Sequence, residues 1–153
     1  MTAIRPRFWS IHALTFLAHA MLGFVLFAAP AVTADETGEP ISGLIIEDAV
    51  VSVAPKGGTA TLGFRIENLS SGSVSLIGVR SMRAGKVVMR VGTGDVTEEL
   101  TALAIHQDET LDLRSSHIRI ELRNLVRPIK TGEMVRSELV FNTGTAIAEA
   151  HAH

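Results

Sequence analysis

Residues 59–68, TATLGFRIEN, alternate with a period of two: Ala60, Leu62, Phe64 and Ile66 take every second place, and Thr59, Thr61, Gly63 and Arg65 stand between them. Successive side chains of a β-strand point to opposite faces, so this spacing buries one face and wets the other. An amphipathic helix would need apolar residues three and four apart instead. Residues 117–123 repeat the pattern, with Ile118, Ile120 and Leu122 apolar and His117, Arg119, Glu121 and Arg123 in the polar places. That polar row is either a working site or a wetted surface.

Turn-forming residues separate the alternating segments. Pro55-Lys56-Gly57-Gly58, Ser70-Ser71-Gly72, Gly92-Thr93-Gly94-Asp95 and Lys130-Thr131-Gly132 each supply residues that tolerate positive φ or preset a bend. Strands are expected near 43–54, 59–68, 73–80, 86–91, 100–105, 109–114, 117–125, 134–142 and 145–150. Short strands at that spacing, with a Val, Ile and Leu core, predict an all-β fold: an antiparallel, immunoglobulin-like β-sandwich.

Arg5 and Arg7 precede the apolar run 13–34, ALTFLAHAMLGFVLFAAPAVTA, and small side chains at Val32 and Ala34 suit signal peptidase. Residues 1–34 are therefore expected to be a signal peptide. Residues 35–153 are expected to form a single domain with a short His-containing C-terminal tail, AIAEAHAH. An uncleaved anchor is the alternative, since about 20 apolar residues span a bilayer; Pro30 favours cleavage. The location implied is periplasmic or secreted, with membrane contact only through a retained leader.

The sequence has no cysteine, which removes lipid attachment through a thiol, disulfides and thiolate metal ligation. Beyond residue 34 it carries 12 Lys and Arg against 16 Asp and Glu, and Phe64 and Phe141 are the aromatic residues there. Neither the charge nor the lack of stacking rings suits nucleic acid, so no nucleic-acid partner is expected. No Gly-x-Ser-x-Gly elbow, His-Glu-x-x-His or phosphate-cradling loop occurs, so no enzyme is expected. Glu98-Glu99 and Asp108-Glu109 lie beside turns, where solvated carboxylates are ordinary. Metal ligation remains, because imidazole and thioether both suit copper. His151 and His153 would share one side of an extended strand; His117 begins a strand after Ser115-Ser116; Met89 could add a thioether, although Met82, Met89 and Met134 are scattered and Met is more often a core filler.

The order of segments resembles the periplasmic copper chaperone family PCu(A)C. The pieces are IIEDAVVSVAP, GGTATLGFRIEN ending in Asn68, SLIGVRS, AIHQDETLDL and LRNLVRPIKTGEMVRSELVF, with Leu125, Pro128, Gly132, Leu139 and Phe141 at framework places. The resemblance implies a cupredoxin-like sandwich that binds Cu(I) and hands it to a copper-accepting membrane protein such as cytochrome oxidase. It also implies two His and two Met as ligands. Without a gap, Arg119 falls at the position of one His and Glu121 at that of one Met; the other Met falls near Thr97, and the other His at or beside Arg90. Arg114-Ser115-Ser116 replaces the family's glycine-rich lead. A shift of two would set His117 on the His and Arg119 on the Met.

The expected function is thus that of a copper chaperone-like protein with a degenerate family site, binding copper through His151, His153, His117 and Met89 or binding none. The alternative is a structural or protein-interaction sandwich without metal, pairing with a partner through an edge strand.

Overall fold

Alternation in the sequence becomes alternation in burial. Ala60, Leu62, Phe64 and Ile66 have no solvent exposure, while Thr61 and Arg65 are exposed. The computed structural model describes residues 41–93 and 96–153, in ten strands. These are β1 (Leu44–Val51), β2 (Ala60–Asn68), β3 (Val74–Arg80), β4 (Ala84–Thr93) and β5 (Val96–Leu100), followed by β6 (Leu103–Ile105), β7 (Thr110–Asp112), β8 (Ile118–Leu125), β9 (Met134–Phe141) and β10 (Gly144–Ala152). The expected leader 1–34 and the lead 35–40 lie outside the described residues. No helix among the described residues is long and apolar enough to cross a membrane.

The strands follow the path β5-β4-β8-β2-β1-β10-β9-β3-β6, and β7 joins β2 on the edge that β8 also uses. Strands β5 and β6 sit at opposite ends of this path, yet Thr101 and Ala102 alone separate them in the chain. Eight flat strand spacings would be about 38 Å. A two-residue connection reaches roughly 10 Å. The path therefore curls back on itself, and one apolar cluster fills the space between the facing layers. The pairings are antiparallel except for β1 with β10, which run parallel.

One inner row shows how the core is built. Leu100, Met89, Ile120, Leu62, Val51 and Ala152 are successive cross-strand partners on β5, β4, β8, β2, β1 and β10. Strand β1 carries a bulge, where Asp48 and Ala49 oppose the single residue Phe64 between the pairs Glu47–Arg65 and Val50–Gly63. Asp48 takes φ 51° there, a left-handed conformation that Asp tolerates better than most residues.

The all-β expectation holds, with three differences. The segment 100–105 is two elements: β5 ends at Leu100 and pairs with β4, whereas β6 begins at Leu103 and pairs with β3. A chain that must cross between layers has to leave its ladder, and Thr101-Ala102 is that crossing. Gly92 and Thr93 belong to β4 rather than to a turn, because Gly92 adopts φ 140° and pairs with Thr97. A side chain at Gly92 would place Cβ 2.1 Å from the Val96 carbonyl oxygen, so only glycine fits the mouth of this hairpin. The expected C-terminal tail is instead the end of β10, held on one side by β9 and on the other by β1.

A buried amide fixes one end of the sandwich. Asn68 has no exposure; its Nδ2 donates to the carbonyls of Gly72, Ile105 and His106 at 2.8, 3.0 and 3.1 Å. Its Oδ1 accepts from the Ser70 amide at 3.1 Å and the Ser70 hydroxyl at 2.6 Å.

Candidate functional site

The residues that the resemblance ties to copper do meet, on the outer face of β5, β4 and β8. Arg90 is the cross-strand partner of Arg119 on one side and of Glu99 on the other. Its Nε donates to Thr97 Oγ1 at 2.8 Å and its Nη2 to the Thr97 carbonyl at 2.9 Å. Glu121 lies opposite Val88 and Thr61. It accepts from Arg123 Nε at 2.8 Å and Nη2 at 2.5 Å, so its charge is balanced by Arg123 and not by Arg119. Arg119 is exposed and, among the described residues, makes no hydrogen bond or ion pair. The polar row of β8 is thus an outer surface: Ile120 and Leu122 are fully buried behind it.

This face does not fit Cu(I). A guanidinium is a permanent cation with five donors and no lone pair to give a metal. Two of them, directly opposite one another, repel a further cation and one another. Threonine oxygen and a carboxylate already engaged by Arg123 are hard donors, unsuited to Cu(I).

The histidines and methionines named from the sequence are dispersed. Met89 is 5% exposed, on the inner face of β4 between Leu100 and Ile120. Burial follows from its register: it sits one place from Arg90, on the opposite side of the strand. His117 is exposed just before β8, and its carbonyl accepts from the Gly92 amide at 3.1 Å. Ile120 of β8 and Ala152 of β10 lie on the same row with β2 and β1 between them. Three strand spacings and the offset along the strands separate His117 from His151 by about 16 Å. One ion cannot take both His117 and the His151–His153 pair, nor can Met89 join that pair from inside the core.

His151, near the end of β10, and His153, one residue past it, are both exposed, and His151 is flanked by the buried Ala150 and Ala152. The cross-strand partner of His151 is Met134 on β9, which is 52% exposed. Nothing in the sequence singles out Met134 among the scattered methionines, because its partner stands seventeen residues later in a register that only the folded β9–β10 ladder defines.

A charge network occupies the outer side of the β1 bulge. Asp48 forms an ion pair with Arg114 Nη1 at 3.1 Å and lies 3.9 Å from Arg65 Nε, and Arg65 also pairs with Glu47. Arg114 binds Asp112 at 2.7 Å, and this contact holds the Asp112 carboxyl down at about 2. Gly63 makes room for it, since a Cβ there would lie 3.1 Å from Arg114 Cα. Beyond the bulge, Ile46, Glu47, Asp48, Ala49, Arg136, Ile147 and Glu149 line an open concavity of about 340 Å³. No group of three or more His, Cys, Asp or Glu is placed to hold a metal among the described residues.

A family model for LpqE-like lipoproteins matches residues 44–150. Among solved structures, the copper-bound PCuAC domain from PmoF2 is similar at 18% identity and a TM-score of 0.64, over 76% of this chain and 97% of that one. The apo PCuAC domain from PmoF1 is similar at 16% identity and a TM-score of 0.65, over 76% of this chain and 98% of that one. Apo-DR1885 from Deinococcus radiodurans is similar at 23% identity and a TM-score of 0.57, over 99% of this chain and 95% of that one. No curated protein matches in sequence. At these identities the likeness establishes the fold.

Proposed function

Because the chain belongs to the LpqE-like family and its strands build the fold of PCuAC domains, we propose that it is an exported copper-handling protein of the chaperone type, carrying Cu(I) as cargo to a protein acceptor. The observation that carries this reading is the match to a copper-bound PCuAC domain over 97% of that domain's length. In this reading residues 1–34 direct export and are removed, and the protein works in the periplasm or outside the cell. The acceptor is a copper-accepting membrane protein such as cytochrome oxidase. With no cysteine, the chain lacks the thiol that lipid attachment would require. No catalytic step and no nucleic-acid partner are part of the proposal.

Copper is not held at Arg90, Thr97, Arg119 and Glu121, whose donors are cationic, hard or already engaged. The remaining imidazoles and thioethers are the metal-binding candidates, with His151 and His153 first among them. The test is titration of the purified protein with Cu(I) under reducing conditions, in competition with a chromophoric chelator. One Cu(I) per chain with a Kd at or below about 1 μM is expected. Weaker binding removes the copper reading.

A second reading has its own observation. Arg119 is exposed opposite the half-buried Arg90, which bonds Thr97 of β5, a strand at the end of the path with Val96 80% exposed. Such an edge can pair with an extended segment of a partner. If the protein binds no copper and still captures its partner, this interaction role is what remains.

A further inference from the structure

Strand β10 brings two imidazoles and one thioether to the same place. His151 lies on β10 and His153 one residue past it, where its amide still bonds the Val51 carbonyl, so at strand spacing their Cα atoms are separated by roughly 7 Å and their rings can converge on a point between them. Met134 is the direct cross-strand partner of His151 on β9. Direct partners have Cβ atoms about 5 Å apart, and diagonal partners such as Met134 and His153 about 7–8 Å, within reach of a side chain with three rotatable bonds.

The backbone here is fixed, unlike that of a frayed end. The Ala152 amide donates to the Glu133 carbonyl at 2.8 Å, the Gly132 amide to the Ala152 carbonyl at 2.8 Å, and the His153 amide to the Val51 carbonyl at 3.2 Å. Both neighbours of His151 in the chain face the core, which holds its own side chain outward. Arg136, two residues along β9 from Met134, is the partner of Glu149 and not of either histidine, and Arg83 is engaged by Glu133.

We propose that His151, His153 and Met134 form a three-coordinate Cu(I) site on the outer face of the β9–β10 ladder. The donor set is two borderline nitrogens and one soft sulfur, which favours Cu(I) over hard divalent ions. All three donors stand at the surface, so an acceptor can displace them one at a time without opening the core. This inference rests on the copper-handling reading and adds to the histidine pair a third donor, Met134, that only the β9–β10 register brings beside it.

The test is Cu(I) competition titration of the purified protein alongside Met134→Leu, a His151→Ala/His153→Ala variant and Met82→Leu, with X-ray absorption at the copper edge as an independent readout. Met82 is 96% exposed in the β3–β4 turn and serves as a control thioether. The expected result is one Cu(I) per chain with a sulfur neighbour in the parent, at least tenfold weaker binding with loss of the sulfur signal in Met134→Leu, a larger loss in the double variant, and no change in Met82→Leu. Unaltered binding in both Met134→Leu and the double variant overturns this site and leaves the copper-handling reading standing. Absence of Cu(I) binding in the parent overturns both. All substituted side chains are exposed, and circular dichroism of each variant checks that the fold is intact.

Discussion

Replacing Asn68 is expected to cost the domain a large part of its stability. The side chain has no solvent exposure and makes five hydrogen bonds. Asn68→Ala removes all five, and the Ile105 carbonyl is left in a buried setting, whereas the groups on Gly72, His106 and Ser70 are partly reachable by water. At about 1 kcal/mol for a typical net bond, with water recovering some of the peripheral ones, the loss is roughly 3–4 kcal/mol. Domains of this size are stable by about 5–15 kcal/mol, so the change is large on that scale. Asn68→Asp should be worse near neutral pH, because it turns the amide that faces three carbonyl oxygens into an anion in a dry site. Burial and those oxygens would raise the folded-state pKa of the new carboxyl. Its penalty is then fully present at neutral pH and shrinks as pH falls through that raised value. Urea unfolding followed by circular dichroism, at neutral pH and near pH 4, measures both effects. A loss below about 1 kcal/mol for Asn68→Ala, or an Asp variant as stable as the Ala variant at neutral pH, would refute the assignment of this amide as the pin between β2, β6 and the loop at Ser70.

Restoring soft donors by the combined change Arg90→His, Thr97→Met, Arg119→His and Glu121→Met should create Cu(I) binding on the β4–β5–β8 face, read by chelator competition; no gain in stoichiometry would show that these positions are not the family's ligand places. The Asp112 carboxyl, held at about 2 by the Arg114 hydrogen bond against an ordinary 3.8, contributes stability that is present above about pH 4 and is lost as pH falls towards 2. Asp112→Asn should flatten that acid limb in denaturant titrations made across pH 4 to about 2, and an unchanged limb would place the acid sensitivity elsewhere.

The face of each strand was legible because burial enforces period two. Ala60 to Ile66 and Ile118 to Leu122 fell as their alternation required, and Arg119 was correctly read as exposed. Partnership between strands was not legible. Glu121 has Arg119 two residues before it and Arg123 two residues after it on the same face, and only the fold decides that Arg123 takes its charge. Met89 and Arg90 are adjacent in sequence and lie on opposite sides of β4, so one packs on Ile120 while the other faces Arg119. The end of β10 looked like a loose tail since nothing in AIAEAHAH announces that β1 and β9 flank it. The crossing at Thr101-Ala102 was hidden for a related reason: the apolar run 100–105 continues through a change of layer.

The parallel contact of β10 with β1 gives the latest strand a central place in the sheet, between the halves β5-β4-β8-β2-β1 and β9-β3-β6. Each half has an open edge until that strand arrives, and the closing contact joins residues about a hundred positions apart, such as Val50 and His151. Long loop closure of this kind slows folding. A polypeptide emerging amino end first would stay unlocked until β10 was delivered, so this strand acts as the keystone of the sheet.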